Sequence, residues 1–308
     1  GKKIIGYRQA LVPDKLPESM VVVGSGAIGS EFAYFYNAMG TKVTLVEYMP
    51  NIVPLEDHEV CAQLSRSFRK AGLKVMVDAS VEAVDTSGDL CKVTIKTKKG
   101  EEVVDAEVVL SAVGISPNVE NIGIEELGIE MERGRVKVDE FYRTNVEGIY
   151  AIGDIINTPA LAHVASAEAL ACVEKIAGLD VHPINYKNIP GCTYTTPEVS
   201  SVGMTEKAAV EAGHKVRVGK FPYTASGKAA AAGAKDGFVK LVFDEETNGL
   251  LGAHMIGANV TEMVAGLVTS RNLGVKGHDL IKSIHPHPTM SEAIMEAAAA
   301  AYGEVVHL

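Results

Sequence analysis

The sequence predicts an α/β chain of more than one domain, on three observations. A glycine-rich turn stands between an apolar strand and a helix near the start. Two alternating strands joined by Asn248-Gly249 lie near the end. Between them, strand and helix periodicities follow one another. At 308 residues the chain has room for two domains of roughly 100–200 residues each.

Each element has a local reason. Met20–Val23 is apolar without polar alternation, as a parallel strand covered on both faces should be. Ala27–Met39 has helical composition and stops at Gly40, a suitable C′ residue. Lys42–Glu47 reads as the second strand. Asp57–Ala71 is a second helix, because Val60, Leu64, Phe68 and Ala71 recur at helical spacing before Gly72. "LKVMVDASVEAVD" and "CKVTIKTKKGEEVVDAEVVLSAV" supply further strands, the latter turning at Lys99-Gly100. Ile149–Ile152 reads as an apolar strand ending at Gly153-Asp154, ahead of the alanine-rich helix "AHVASAEALACVEKIAG". From about Asn188, strands "HKVRVGKFPY" and "GFVKLVFDEETNGLLGAHMIG" precede the helix "VTEMVAGLVTSRNL". That order, with its Asn-Gly hairpin, predicts an α+β terminal domain. "GKAAAAGAKDG" (227–237) is of low complexity and reads as a flexible loop.

Composition narrows the function. Apolar residues at 47% and charged residues at 22% describe an ordinary soluble globular protein. No apolar run approaches the ~18 residues of a membrane helix, and the opening "GKKIIGYRQALVPDKLP" lacks the apolar core of a signal peptide. A formal charge of −10 argues against general nucleic-acid binding. Cys61, Cys91, Cys172 and Cys192 form no C-x-x-C or other close pair, so neither a zinc ribbon nor a local redox dithiol is available. They read as packed, reduced thiols of a cytosolic type of protein.

Gly24-x-Gly26-x-x-Gly29 followed by Glu47 at the next strand end predicts a Rossmann-type dinucleotide site. Gly24 permits the tight turn, Gly26 lets backbone approach a pyrophosphate, and Gly29 lets the helix pack on the strand. The helix N-terminus offers N–H donors and a positive dipole end to phosphates. Glu47 is expected to accept from the ribose hydroxyls and repel a 2′-phosphate, which favours NAD over NADP. The bland alternative is an ordinary βα turn with an exposed Glu. Asp154, at the carboxyl end of an apolar run, suits a ligand hydroxyl or merely caps the next helix.

The stretch His285–Glu292, "HPHPTMSE", carries three readings. Each proline disfavours the α conformation before it, so His285 and His287 are both expected to be extended. Thr289-Met-Ser-Glu292 matches a capping box that opens a helix through about Tyr302. A metal site from His285 and His287 has no third ligand at a recognisable spacing. In the catalytic reading His287 is a base and Glu292 orients it, so that a substrate thiol can lose its proton and attack a disulfide.

Gly24–Glu31, Glu47, "VGISPN", "GIYAIGDI…LAHVASAEA" and "HPHPTMSEA" occur in the order found in flavin-dependent pyridine nucleotide-disulfide oxidoreductases. The chain resembles that family from about Tyr7 to Leu308, its dihydrolipoamide dehydrogenase branch most closely. The resemblance implies an NAD-binding domain over 1–115, the C-terminal segment of an FAD-binding domain over 116–187 and a dimerisation domain over 188–308. It implies that Ser25, Ala27 and Ile28 join the glycines around NAD, with Glu31 near the nicotinamide end and Val81 and Gly114 along its path. Asp154 is implied to bond the ribitol of FAD, and Ala160, Leu161, Ala162 and His163 to lie against the flavin largely through backbone. His287 and Glu292 match the family's catalytic pair; His285 matches no catalytic residue.

The activity implied by this resemblance is reoxidation of dihydrolipoyl groups by NAD, through a redox disulfide and FAD. A two-fold homodimer is implied, each His287 serving the other subunit's disulfide. Lipoyl-bearing acyltransferases of 2-oxoacid dehydrogenase complexes are the implied partners, in the bacterial cytoplasm or the mitochondrial matrix. Glu47 disfavours the NADP-linked reductases, and the C-terminal thiol pair of mercuric reductase is absent. A noncatalytic NAD-binding and dimerisation module is the alternative from another class.

The family's redox pair, spaced C-x-x-x-x-C, does not occur in these 308 residues, nor does a second glycine-rich turn for the ADP half of FAD. A truncated form is the expectation. The purified 308-residue chain should then give no substantial NAD reduction with dihydrolipoamide; sustained turnover by that species would refute this.

Overall fold

A parallel sheet carries the glycine turn. In the computed structural model, which describes residues 1–308, the chain runs through β1 (Ile4–Ile5), α1 (Tyr7–Leu11), β2 (Ser19–Val23), α2 (Ala27–Ala38) and β3 (Lys42–Val46). It continues through α3 (His58–Lys70), β4 (Lys74–Met76), β5 (Ser80–Asp85), β6 (Cys91–Thr97), β7 (Gly100–Ala106) and β8 (Val108–Ser111). Strands β1, β8, β2, β3 and β4 pair in that order and in parallel, while β5, β6 and β7 form a separate antiparallel sheet. Met20, Val22, Val43 and Leu45 face Ala33, Tyr36, Leu64 and Phe68 of the helices. On the other face Val21 and Val46 meet Cys91, Val93 and Ile95 of β6. Burial on both faces explains the unbroken apolar runs.

Residues Ile115–Ile189 cluster as a unit of their own, containing β9 (Met131–Glu132), β10 (Arg135–Val136) and α4 (Ala162–Ile176). The expected strand at Ile149–Ile152 does not form. Tyr150 makes one isolated bridge to Arg143, and the run passes into a 3₁₀ turn at Gly153–Ile155. A strand exists only where a neighbour takes up its N–H and C=O groups along its length; here Thr144 N donates to the Ile149 carbonyl and Ala151 N to the Tyr142 carbonyl, and the pairing goes no further.

The remaining elements are β11 (Gly191–Thr193), β12 (Glu198–Gly203), α5 (Glu206–Glu211), β13 (Val216–Pro222), α6 (Gly227–Ala231) and β14 (Phe238–Asp244). After them come β15 (Leu250–Gly257), α7 (Val260–Asn272), α8 (Gly277–Lys282) and α9 (Glu292–Tyr302). The five strands form an antiparallel sheet in the order β11-β12-β15-β14-β13. The loop expected over 227–237 is partly helical: α6 is capped by the Ser226 hydroxyl, which accepts from Ala229 N. Alanine is the strongest helix former, so low complexity here reads as helix rather than coil. Asp236 is also fixed, accepting from Ser67 Oγ at 2.7 Å. Helix α9 lies directly on β13, where a Cβ on Gly219 would fall 1.9 Å from the Ala297 carbonyl oxygen.

Segments 1–114 and 190–308 cluster as one unit, and a buried ion cluster ties them. Lys240 on β14 is 0% exposed. Its Nζ lies 3.0 Å from Asp57 Oδ2, 2.9 Å from Glu59 Oε1 and 2.7 Å from Glu206 Oε2. Asp57 is at the same time the N-cap of α3, accepting from Glu59 N. Burial works against the charged Lys240, but Glu206, Glu59 and Asp57 outweigh it and raise its pKa. Burial likewise pushes Glu59 up, yet Lys220 and Lys240 hold it at about 2.

Lys240→Met leaves the buried Asp57 carboxylate without its cation and takes one from the partly exposed Glu59 and Glu206, and should cost roughly 3–5 kcal/mol in chemical denaturation. The Glu59 carboxyl is depressed from 4.5 to about 2, so its stabilisation is complete above the ordinary value and lost as pH falls through that window. Acid titration of stability should show this loss in the wild type, and Lys240→Met should reduce it to the share that Lys220 sustains.

Candidate functional site

The carboxyl ends of β2 and β3 open on a cleft of about 500 Å³ lined by Gly24, Gly26, Glu47, Tyr48, Val81 and Gly114, among others. Gly24 has φ +93°, and a Cβ there would sit 2.6 Å from the Ala112 carbonyl oxygen. At Gly29 a Cβ would fall 1.9 Å from the Gly24 oxygen, so only glycine lets α2 close on the strand. Gly26, the N-cap of α2, has nothing within 4 Å of the position its Cβ would take. Its backbone therefore borders open space at a helix N-terminus, which fits an anionic phosphate group. Ala27 and Ile28 occupy the exposed first turn of α2.

Glu47 follows β3 directly and is 7% exposed. Its Oε2 accepts from Ser25 N at 2.8 Å and Ser25 Oγ at 2.6 Å, and its Oε1 from Met49 N at 2.8 Å. Three of a carboxylate's about four acceptor sites are thus taken by protein. The sequence pattern assigned Glu47 to the ribose hydroxyls and Ser25 to the nucleotide, and did not reveal the bonds between the two. Glu31 is half-buried, its Oε1 accepting from Tyr194 N at 2.9 Å.

In the unit Ile115–Ile189, Asp154 is exposed within the 3₁₀ turn. The turn is anchored from behind by Glu168, which is 0% exposed and accepts from Gly153 N at 2.7 Å and Tyr186 Oη at 2.8 Å. Tyr142 Oη lies 3.1 Å from Tyr186 Oη. Leu161 is the N-cap of α4, with Ala160 before it and Ala162 and His163 in its first turn. Glu168 escaped the sequence reading, because one acid in an alanine-rich helix looks like a solvated residue.

His287 and Glu292 are brought together. His287 Nδ1 lies 2.8 Å from Glu292 Oε1, and Thr289 N donates to Glu292 Oε2 at 2.7 Å. One carboxylate therefore serves the imidazole and the helix start at once. Burial pushes the Glu292 carboxyl up, but the Thr289 amide and then His287 outweigh it and hold it below its ordinary value. The capping box forms only in this half. The Thr289 hydroxyl donates to the Pro286 carbonyl, and α9 begins at Glu292 with Ser291 as its N-cap. His287 is 79% exposed and Glu292 27%. His285 Nδ1 lies 3.0 Å from the Ser283 carbonyl oxygen, apart from that pair's bonding. No helix is long and apolar enough to cross a membrane.

Comparison with known proteins identifies the family. The profile of the pyridine nucleotide-disulphide oxidoreductases matches residues 1–169, and that of the dimerisation domain of the same enzymes matches 189–298. The dihydrolipoyl dehydrogenase of Rhizobium etli is 48% identical over 100% of this chain and 64% of its own length. That of Bacillus subtilis is 42% identical, with 100% of this chain and 65% of the relative covered. The mitochondrial dihydrolipoyl dehydrogenase of Pisum sativum is 40% identical over 100% of this chain and 62% of its own length. The chain thus spans less than two thirds of the length of these relatives. Among solved structures, LpdA of Mycobacterium tuberculosis superposes with a TM-score of 0.88 at 28% identity, covering 96% of this chain and 64% of that one. The HOCl-induced flavoprotein disulfide reductase RclA of Escherichia coli gives 0.88 at 25% identity, covering 96% and 68%. The glycine turn, the histidine–glutamate pair and the matched profiles lead to one conclusion: the chain belongs to the pyridine nucleotide-disulphide oxidoreductase family.

Proposed function

We propose that this protein acts as a dihydrolipoyl dehydrogenase, reoxidising dihydrolipoyl groups with NAD. The observation that carries the reading is the His287–Glu292 bond of 2.8 Å, in a chain 40–48% identical to proteins of that name. Glu292 holds the Nδ1–H of His287, which leaves the Nε2 lone pair as the acceptor for a proton. Nε2 stands on an exposed imidazole, where a substrate thiol can reach it. A thiol that gives up its proton there becomes the thiolate needed to attack a disulfide.

None of the chain's own cysteines is suited to supply that disulfide. All four are free thiols; burial pushes Cys61 up to about 12 and raises Cys91, Cys172 and Cys192 as well, which disfavours the thiolate form in each. FAD, when bound, supplies the electron relay between thiol chemistry and NAD. Toward it, this chain would contribute Asp154 on the ribitol and Ala160, Leu161, Ala162 and His163 alongside the ring, the Glu168 anchor keeping the Asp154 turn in place.

The nucleotide would lie along Gly24, Ser25, Gly26, Ala27, Ile28 and Gly29, with phosphates at the α2 N-terminus and a ribose at Glu47. Val81 and Gly114 would flank its path and Glu31 its nicotinamide end. By the same reading 1–115 binds NAD, 116–187 completes the FAD domain, and 188–308 joins a second copy of the chain into a homodimer. Lipoyl-bearing acyltransferases of 2-oxoacid dehydrogenase complexes are the protein partners, in the bacterial cytoplasm or the mitochondrial matrix. The relatives' sources, bacterial and mitochondrial, support this coarse address.

The test uses a complete enzyme carrying this sequence. His287→Gln should lower dihydrolipoamide-dependent NAD reduction by about 10²–10⁴-fold, and a rate within a factor of two of wild type rejects the reading. His287→Gln should leave thermal stability unchanged, because the imidazole is exposed. Glu292→Ala should lower stability by about 1 kcal/mol through loss of its bond to Thr289 N. Equal destabilisation by both substitutions would mean that the pair is structural.

A further inference from the structure

Ser25 is the second residue of the glycine turn, yet its polar atoms are all committed to protein. It is 0% exposed, and both its N–H and its hydroxyl donate to the same oxygen of Glu47. Its carbonyl accepts from Ser30 Oγ at 2.9 Å and from Val53 N at 3.0 Å. One residue therefore ties together the turn, the end of β3, the first turn of α2 and the loop before α3. Met49 N holds the other Glu47 oxygen. The Glu47 side chain is held from both ends and almost excluded from solvent.

We infer that Ser25 is a specificity-determining residue: its hydroxyl locks the Glu47 carboxylate at the cleft, so that the site takes a dinucleotide with free ribose hydroxyls and rejects one bearing a 2′-phosphate. The inference rests on the nucleotide reading of this cleft. A carboxylate that is free to rotate can turn from an incoming phosphate and leave room for water or a counter-ion between them. A carboxylate pinned by three donors cannot, so the repulsion falls in full on the phosphorylated ligand. Against an unphosphorylated ribose the same pinning helps, because the remaining acceptor site needs no reorganisation before it binds a hydroxyl. Selectivity thus depends on a hydroxyl whose hydrogen bond goes to Glu47 rather than to the ligand. A glycine at position 25 would keep the two backbone N–H bonds to Glu47 but lose the shorter hydroxyl bond, and so loosen the lock.

The experiment is titration of the 308-residue chain with NADH and with NADPH, followed by nicotinamide fluorescence at fixed ionic strength. Wild type should bind NADH in strong preference to NADPH. Ser25→Ala should lower that preference about tenfold, the effect of one hydrogen bond to a charged group. Ser25→Gly, which also lacks the hydroxyl but adds no methyl group, should do the same; circular dichroism checks that each variant is folded, and either folded variant suffices. An unchanged NADH-to-NADPH ratio in the folded variants overturns the inference. So does parallel weakening of both ligands, which would make Ser25 a packing residue only. Wild type that binds neither nucleotide defeats the reading of the cleft itself, an outcome distinct from both.

Discussion

An ammonium group with no solvent around it holds the larger unit together. Lys240 comes from the terminal sheet, Asp57 and Glu59 from the start of α3 and Glu206 from α5, so the cluster joins chain segments separated by the whole middle unit. Charges buried in this way gain little over a well-packed apolar contact, but they tolerate no missing partner. Their contribution is therefore fidelity of docking rather than surplus stability. Helix α3 has one orientation against the sheet that satisfies Asp57 both as helix cap and as counter-ion. The loop that feeds α3 passes through Val53, whose N–H reaches back to Ser25. The register between sheet and helix thus extends to the rim of the nucleotide cleft.

Much of this was legible in the sequence, for physical reasons. Strands buried on both faces leave an unbroken apolar run, as at Met20–Val23, and Asn248-Gly249 marks a reversal because Asn248 must adopt φ +60°. Glycines that must admit a neighbour's backbone are visible by their spacing. Ile149–Ile152 misled because strand character belongs to a pair of segments and cannot be read from one. The alanine run after Ser226 misled because repetitive composition was taken for disorder, although alanine favours helix. Lys240 and Glu168 stayed hidden for a third reason. A charged residue looks solvated until its partners are known, and these partners lie far away in sequence or behind a turn.

Two glutamates show how the same side chain is put to opposite uses. Glu47 is almost fully enclosed, and most of its acceptor capacity goes to holding itself still. Glu292 divides its oxygens between a backbone amide and an imidazole, so the group that starts the helix also holds the His287 ring. Neither role competes with the other: a carboxylate fixed by its amide bond is a better orienting partner than a free one. The prolines on either side of His287 restrict the backbone on which the imidazole rides. The rigidity the catalytic reading needs therefore comes from local chain chemistry, without further packing over the exposed ring.

Helix α9, whose first residue is Glu292, rests on β13 at Gly219, where only the small Ala301 methyl stands beside the two backbones. Most helix–sheet contacts are cushioned by methyl and methylene groups that can change rotamer to absorb small displacements. Here the strand backbone meets the Ala297 carbonyl and the Ala301 amide directly, so the helix has little room to shift at that point. The helix that carries the partner of His287 is thus seated on a strand far from it in sequence, and a side chain at Gly219 would unseat it.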